Sequence, residues 1–510
     1  MLARVWNRFS PMIPISLFEA SSSSVELVSR AISELRIETR AFIAGQYCES
    51  ELTIAGKSSP VDGRAIPGVS ACDSAMVDRA VTAARKSFES GVWRRCDRRS
   101  VLLNLADRMQ DVRGELALLD CLETGRALQN YYYDSVPKAI DALRWFALNY
   151  SRLEDQSLPA PPGVVARILR QPIGVAGLIT PWNDPLVPVM WKLGAALMMG
   201  NSVVLKPSEY SSLSVLRVAQ LAAEAGVPDG VLNVVPGLGG IAGAALAQHP
   251  DVDVVGFTGS SETAGKILQC AGLTNLKRME AECGGKSAFL VTGRCHHLRE
   301  AASCLAENLF YNQGQICSAP SRLIIERSVR DEFLPLLITA AGKYLPGHAF
   351  DVSCRIGSLV SRRQRERVQS FIDEGIRVSE LLTEFPAPLN PLAVAPVIFD
   401  RVDPGCRLAQ EEIFGPVLAV LTAKNLEEGL RLANGTRFGL AAGVWTDCED
   451  EARFAAENLH AGIVHINSYG EDTMDAPFGG VKASGFGKDK SLLAFDSYSI
   501  LKTMWHRDLP

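Results

Sequence analysis

Three residues in this chain are of types and in settings suited to covalent chemistry on a carbonyl. Cys317 lies in Phe310-Tyr311-Asn312-Gln313-Gly314-Gln315-Ile316-Cys317-Ser318, a polar turn carrying Gly, Asn and Gln. A thiol presented there is a candidate nucleophile, because thiolate is intrinsically reactive and a polar, partly exposed setting lowers its pKa. Taken alone, it reads more readily as one more small packed cysteine than as a nucleophile. Glu282 lies in Ala281-Glu282-Cys283-Gly284-Gly285-Lys286-Ser287-Ala288. Two glycines after a carboxylate let backbone pass close to a ligand while the acid points into a cavity, a setting for a general base. Asn183 ends Ile179-Thr180-Pro181-Trp182-Asn183, so its carboxamide falls at a strand's carboxyl end, where it can donate to a developing oxyanion. The bland alternative is a satisfied turn asparagine.

A second set of residues has the character of a nucleotide site. Lys206 and Glu209, in Leu205-Lys206-Pro207-Ser208-Glu209, are placed to bond ribose hydroxyls, and the acid would repel a 2′-phosphate. Gly237-Leu238-Gly239-Gly240 follows a strand and opens a helix, although its spacing is not Gly-x-Gly-x-x-Gly. Phe257-Thr258-Gly259-Ser260 stands at another strand-to-helix junction, where a hydroxyl and a helix N-terminus can receive pyrophosphate.

Positioning these groups requires strands that end beside them. A helix with apolar spacing through Ala301, Leu305 and Phe310 leads into the Cys317 turn, and Arg322 to Glu326 reads as a buried strand after it. Helical periodicity also covers 25–35, 73–90, 99–123 and 136–150. From about residue 164 strands and helices alternate: strands 164–169, 173–180, 202–205, 231–235 and 253–257, with helices 213–225, 241–248 and 261–270. Such alternation predicts an α/β fold with a doubly wound parallel sheet that binds nucleotides at its strands' carboxyl ends. A second alternating region follows from 288 to about 467, with strands at 322–325, 417–421 and 463–466, and the tail 497–505 returns to strand character.

Together, the Glu282 and Cys317 stretches resemble the paired glutamate and cysteine signatures of the NAD(P)-dependent aldehyde dehydrogenase superfamily, and the resemblance runs over about residues 37 to 505. It implies Cys317 as nucleophile, Glu282 as general base and Asn183 as oxyanion donor acting with the backbone N–H of Cys317. The cofactor would be NAD rather than NADP, held by Ile179, Thr180, Trp182, Lys206, Glu209, Gly239, Gly259, Ser260, Glu412 and Phe414. The family usually has glycine four residues after the serine of Gly259-Ser260, where this chain has Ala264 with Gly265 beside it. Pro477-Phe478-Gly479-Gly480 and Ser484-Gly485-Phe486-Gly487 match the glycine-rich segment at the substrate mouth, and Asp184, Trp191 and Phe478 fall to the aldehyde tunnel. Asp184 replaces a common aromatic; with Glu471, Asp472 and Asp475 it points to a cationic or strongly polar substrate. Gly487-Lys488-Asp489-Lys490-Ser491-Leu492 and Leu501-Lys502-Thr503-Met504-Trp505 resemble the branch of γ-glutamyl-γ-aminobutyraldehyde and other ω-aminoaldehyde dehydrogenases. Other readings are an aliphatic, aromatic or semialdehyde dehydrogenase, a thiol hydrolase, and a scaffold that binds cofactor without catalysis. The resemblance divides the chain into an N-terminal extension (1–24), an NAD-binding domain (25–150 and 173–284), a catalytic domain (285–482), and an oligomerisation element with the C-terminal tail (151–172 and 483–510). It implies a homodimer or homotetramer.

Composition agrees with an ordinary globular chain: 510 residues, 47% hydrophobic and 21% charged, enough for two or three domains. A net charge of −5 without a basic stripe gives no basis for nucleic-acid binding, and no apolar run reaches membrane-spanning length. Twelve scattered cysteines without Cys-x-x-Cys argue against a disulfide framework and a structural metal, and place the protein in a reducing, cytoplasmic compartment. Cys295-His296-His297 reads as a surface loop. Residues 1–24, with Arg4, Arg8 and a serine run, read as a flexible extension, a transit peptide being the alternative.

Overall fold

A computed structural model describes residues 25–54 and 56–507; the N-terminal extension lies outside the described residues. Two sheets dominate. The first has eight strands, of which Arg278–Cys283, Val254–Gly259, Val175–Ile179, Ser202–Lys206 and Leu232–Val234 lie side by side in that order and run parallel. Such strands are buried on both faces, which is why these segments are almost purely apolar. Chain order runs outward from Val175–Ile179 and then resumes on its other side with Val254–Gly259. The direction of winding therefore reverses between those two neighbours, and the crevice beyond their carboxyl ends is the expected place for a ligand.

The second sheet has seven strands, in the order Glu380–Leu381, Val397–Asp400, Val417–Ala423, Arg322–Glu326, Ala288–Val291, Ala441–Trp445 and Ile463–Ile466. All its pairings are parallel except that of Glu380–Leu381. Only the short turn 284–287 separates the end of Arg278–Cys283 in the first sheet from the start of Ala288–Val291 in the second. The carboxyl ends of one sheet thus face the amino ends of the other. Gln156–Leu158, Val164–Pro172 and Ser499–Arg507 form a separate antiparallel sheet, with Ser499 opposite Pro172 and Arg507 opposite Val164. The tail also contributes Gly485–Phe486, which pairs with Ala281 and Glu282 at the edge of the first sheet.

Local structure departs from the sequence pattern at three places. The periodic stretch 99–123 is two helices, Arg98–Asp111 and Arg113–Thr124, broken at Val112 (φ −109°, ψ 22°). The strand expected from residue 173 begins at Val175, because Gly174 takes φ 140° and turns the chain out of the preceding ribbon. The glycines of 237–240 open a π-helical turn, Gly239–Gly243, before the short helix Ala244–Gln248. In the Cys295-His296-His297 loop His297 is exposed while Cys295 is buried.

Candidate active site

The Cys317 turn is held by bonds that reach the other sheet. After helix Leu298–Phe310 the chain passes through Asn312 (φ 49°), Gln313 (φ 55°) and Gly314 (φ 71°), three consecutive left-handed residues that reverse it tightly. Such conformations are costly for residues with a Cβ, so the surroundings must hold them. Asn312 Nδ2 donates to the Asn183 carbonyl at 2.8 Å, and Val360 N donates to Gln315 Oε1 at 3.2 Å. Asn183 Nδ2 in turn donates to the Gln315 carbonyl at 2.9 Å. Asn183 follows the carboxyl end of Val175–Ile179 and Cys317 precedes the amino end of Arg322–Glu326, so the two meet where the sheets face each other.

Glu282, in the last turn of strand Arg278–Cys283, is 4% exposed, and neither carboxylate oxygen has a hydrogen-bond partner among the described residues. A Cβ on Gly479 would come within 2.5 Å of Glu282 Oε1, so the C-terminal glycine segment gives the carboxylate its space. Burial pushes its pKa well above the ordinary value, the Asp489 charge adds to this, and Lys192 and Lys488 oppose it. Lys192 and Asp489 are themselves a buried pair 2.7 Å apart. Cys317 is partly exposed, yet its thiol is pushed up to about 12, by desolvation first and then by the carboxylates of Glu412 and Glu282. The polar turn therefore does not lower the thiol pKa as the sequence led one to expect: the neighbouring charges are negative.

The residues expected to hold a dinucleotide surround the crevice where the first sheet changes direction. Ile179 ends one strand and is buried; Thr180 N donates to the Lys206 carbonyl at 3.2 Å, drawing adjacent strand ends together. Lys206 is buried, with Nζ 3.4 Å from Glu209 Oε2, and burial lowers its pKa. Ser260 caps helix Ser261–Leu273 by accepting from Thr263 N, and Gly259 ends the strand before it. Gly239 lies in the π-helical turn with open space where a side chain would stand. Glu412 Oε1 accepts from Gly285 N at 3.1 Å, and burial raises its carboxyl to about 7 against the pull of that N–H, Arg367 and Lys286. Gly284 is required here, since a Cβ would collide with the Glu412 carboxylate. Phe414 and Trp182 meet edge to face with centroids 5.3 Å apart. The hydroxyls of Thr180 and Thr258, at the ends of the two strands flanking the crevice, are buried without partners among the described residues. Orphaned polar groups at a switch point, an open glycine turn and a capped helix N-terminus fit a dinucleotide.

Toward the mouth, Trp191 and Phe478 lie 5.2 Å apart, and the Lys490 ammonium sits 5.5 Å from one ring centroid and 5.9 Å from the other. Asp184 does not present a free carboxylate. Its Oδ2 accepts from Arg126 Nη1 at 3.0 Å and from Ser135 Oγ at 2.9 Å. Asp472 is paired with Lys490, and Asp475 with Arg152 at 3.3 Å. Three of the four acids expected to attract a cation are thus each met by a cation of the chain itself. Sequence reasoning passed over Arg126, Lys192 and Tyr311. Only Lys192 had a local signal, as a charge within the apolar helix Val187–Met199.

A thiol, a partnerless carboxylate and a carboxamide set between a nucleotide-type crevice and a second parallel sheet define a cysteine-dependent dehydrogenase. Residues 47–504 match the Aldehyde dehydrogenase family, and this chain belongs to that family. It is 44% identical over 475 residues to the NADP/NAD-dependent aldehyde dehydrogenase PuuC of Escherichia coli (strain K12), covering 92% of this chain and 96% of the relative. The crystal structure of an indole-3-acetaldehyde dehydrogenase complexed with NAD+ superposes with TM-score 0.93 at 43% identity, covering 94% and 99% of the two chains. The γ-glutamyl-γ-aminobutyraldehyde dehydrogenase of Burkholderia cenocepacia J2315 gives 0.92 at 42% identity, with the same coverage.

Proposed function

We propose that this enzyme oxidises a polar aldehyde to its carboxylic acid with NAD, through a thioester on Cys317. The observation carrying the reading is the convergence of Asn183, Glu282 and Cys317 where the two sheets face each other. Cys317 sulfur adds to the aldehyde carbon, and the thiol's raised pKa means that its proton leaves as the C–S bond forms. The Glu282 carboxylate, without a partner of its own, is the acceptor at hand. Asn183 Nδ2 carries two hydrogens; one holds the Gln315 carbonyl, and the other, with the Cys317 N–H, receives the oxyanion. NAD, when bound, would supply the two-electron acceptor needed for the Cys317 thiohemiacetal to become a thioester. Glu282 passes that proton to solvent and, again a carboxylate, activates water to release the free acid while the sulfur leaves as the regenerated Cys317 thiol.

NAD would lie along Ile179, Thr180 and Trp182, with phosphates toward Gly239, Gly259 and Ser260, and riboses toward Lys206, Glu209 and Glu412. The partly exposed Glu209 carboxylate favours NAD over NADP by repelling a 2′-phosphate. The ion pairs of the mouth favour a polar tail, and the printed activity of the Burkholderia relative supports an amino-substituted one. We assign the cofactor domain to 25–150 and 173–284, the catalytic domain to 285–482, and the oligomerisation element with the tail to 151–172 and 483–510. Exposed Leu501 and Trp505 on strand Ser499–Arg507 favour a homo-oligomer, and twelve unpaired cysteines favour the cytoplasm.

The test is NADH formation from short aliphatic, aromatic, ω-amino and γ-glutamylamino aldehydes, in the wild type and in Cys317→Ala. Turnover lost in the variant supports the reading. A folded wild type that binds NAD yet reduces it with no aldehyde overturns it in favour of a binding scaffold.

A further inference from the structure

Arg126 is the largest fully buried side chain among the described residues after Trp93. It directly follows helix Arg113–Thr124, which ends at Gly125 (φ 81°). Its guanidinium lies between two rings, 4.8 Å from the centroid of Tyr131 and 4.5 Å from that of Tyr311. Nη1 bonds Asp184 Oδ2 at 3.0 Å; Nη2 bonds the Tyr311 hydroxyl and lies 3.5 Å from Asp134 Oδ2. The π-helical turn Tyr131–Ser135 delivers three of the surrounding groups, since Ser135 also bonds Asp184 and Tyr311 donates to Asp134.

The two groups that Arg126 bridges are not incidental to the reaction centre. Asp184 is the chain neighbour of Asn183, and Tyr311 opens the left-handed run leading to Cys317. Beyond Arg126, the Asn183 turn and the Cys317 loop are joined by two hydrogen bonds, Asn312 to the Asn183 carbonyl and Asn183 to the Gln315 carbonyl. The arginine supplies a planar fork that fixes both segments from the side.

Stability does not account for an arginine here. Its Nε and Asp184 Oδ1 are both buried without a partner, so the desolvation of the pair is incompletely offset. An apolar pair of similar volume in place of Arg126 and Asp184 together would fill the space at lower cost. What it would not do is hold two segments in register.

We propose that Arg126 is a positioning residue for the reaction centre: by bridging Asp184 and Tyr311 it sets the Asn183 amide against the Cys317 sulfur. Its effect on turnover rests on the function proposed above; its effect on the geometry of the Cys317 loop does not.

The test uses the full chain with Arg126→Met. Turnover of propanal with NAD is expected to fall about tenfold or more, because small displacements of reacting groups are costly in rate. The aldehyde KM and the NAD dissociation constant are expected to stay within about twofold, while the thermal midpoint falls, because Asp184 is left buried without its cation. Tyr311→Phe, which keeps the ring and removes the hydroxyl's bonds to Arg126 and Asp134, should give a smaller fall and add little to Arg126→Met. Arg126→Lys should recover part of the rate, and it serves with Tyr311→Phe if the methionine variant does not fold. The rate at which iodoacetamide alkylates Cys317 should change in the same variants, with or without aldehyde turnover. Unchanged turnover and alkylation would overturn the proposal, as would a loss of turnover matched by an equal loss of NAD affinity. A wild type inactive on every aldehyde would instead sink the proposed function, leaving alkylation to decide on Arg126.

Discussion

Asn183 and Gln315 are joined by a 2.9 Å hydrogen bond from side-chain amide to backbone carbonyl, two residues before Cys317. One amide hydrogen is thereby spent on holding the loop, and the other is left for the oxyanion role proposed above. Asn183→Ala should retain NAD binding and lower kcat by about 10²-fold or more, roughly 2.7–4 kcal/mol in the barrier. Steady-state kinetics beside a fluorescence titration with NADH check it, and near-normal turnover would remove Asn183 from the mechanism.

Glu282 has a second, separable task. Glu282→Gln should form the thioester slowly, since solvent must then take the thiol proton, and then stall, giving a slowed burst of about one NADH per active site. The sign of the pH dependence follows from its raised pKa. The unprotonated form is the base, so deacylation is weak at low pH and grows as pH rises through a midpoint above the usual carboxylate value. Rapid-mixing experiments across pH should find that limb in the wild type and none in Glu282→Gln.

The Cys317 thiol offers a direct titration. With burial and the Glu412 and Glu282 carboxylates pushing it up to about 12, only a small thiolate fraction exists at neutral pH. Alkylation by iodoacetamide in the cofactor-free enzyme should rise about tenfold per pH unit from roughly 7 to 10 without a plateau. A plateau below about pH 9 would show that the loop is more polar than its buried carboxylate neighbours allow.

The proposed role in cofactor choice falls to Glu209, the partly exposed member of its pair with buried Lys206. Glu209→Gln keeps the shape and removes the repulsion, so kcat/KM with NADP should rise about tenfold relative to NAD. An unchanged ratio would place the 2′-position of the ribose elsewhere.

Gly314 tests the loop's backbone. At φ 71°, with its α-carbon against the Gly415 carbonyl, it has no room for a Cβ. Gly314→Ala should lower the thermal midpoint through left-handed strain of about 1–2 kcal/mol plus the clash. Retained stability would mean that the loop relaxes freely, contrary to the bonds that hold it.

Much of this enzyme was legible in the chain alone. The alternation of apolar runs and amphipathic helices determined the parallel sheets, since side-chain periodicity is a local property that burial on one or both faces imposes. The strand and helix ends then put Asn183 and Cys317 in loops, while Glu282 lies at the carboxyl end of a strand. Tertiary structure decided the electrostatics. Asp184 read as a free acid at the tunnel until Arg126, 58 residues earlier, proved to lie against it. The Cys317 thiol read as activated until two carboxylates from distant strands and turns were found beside it. Charge balance depends on which groups come within a few ångströms in a desolvated interior, and no sequence spacing encodes that when the partners arrive from separate elements.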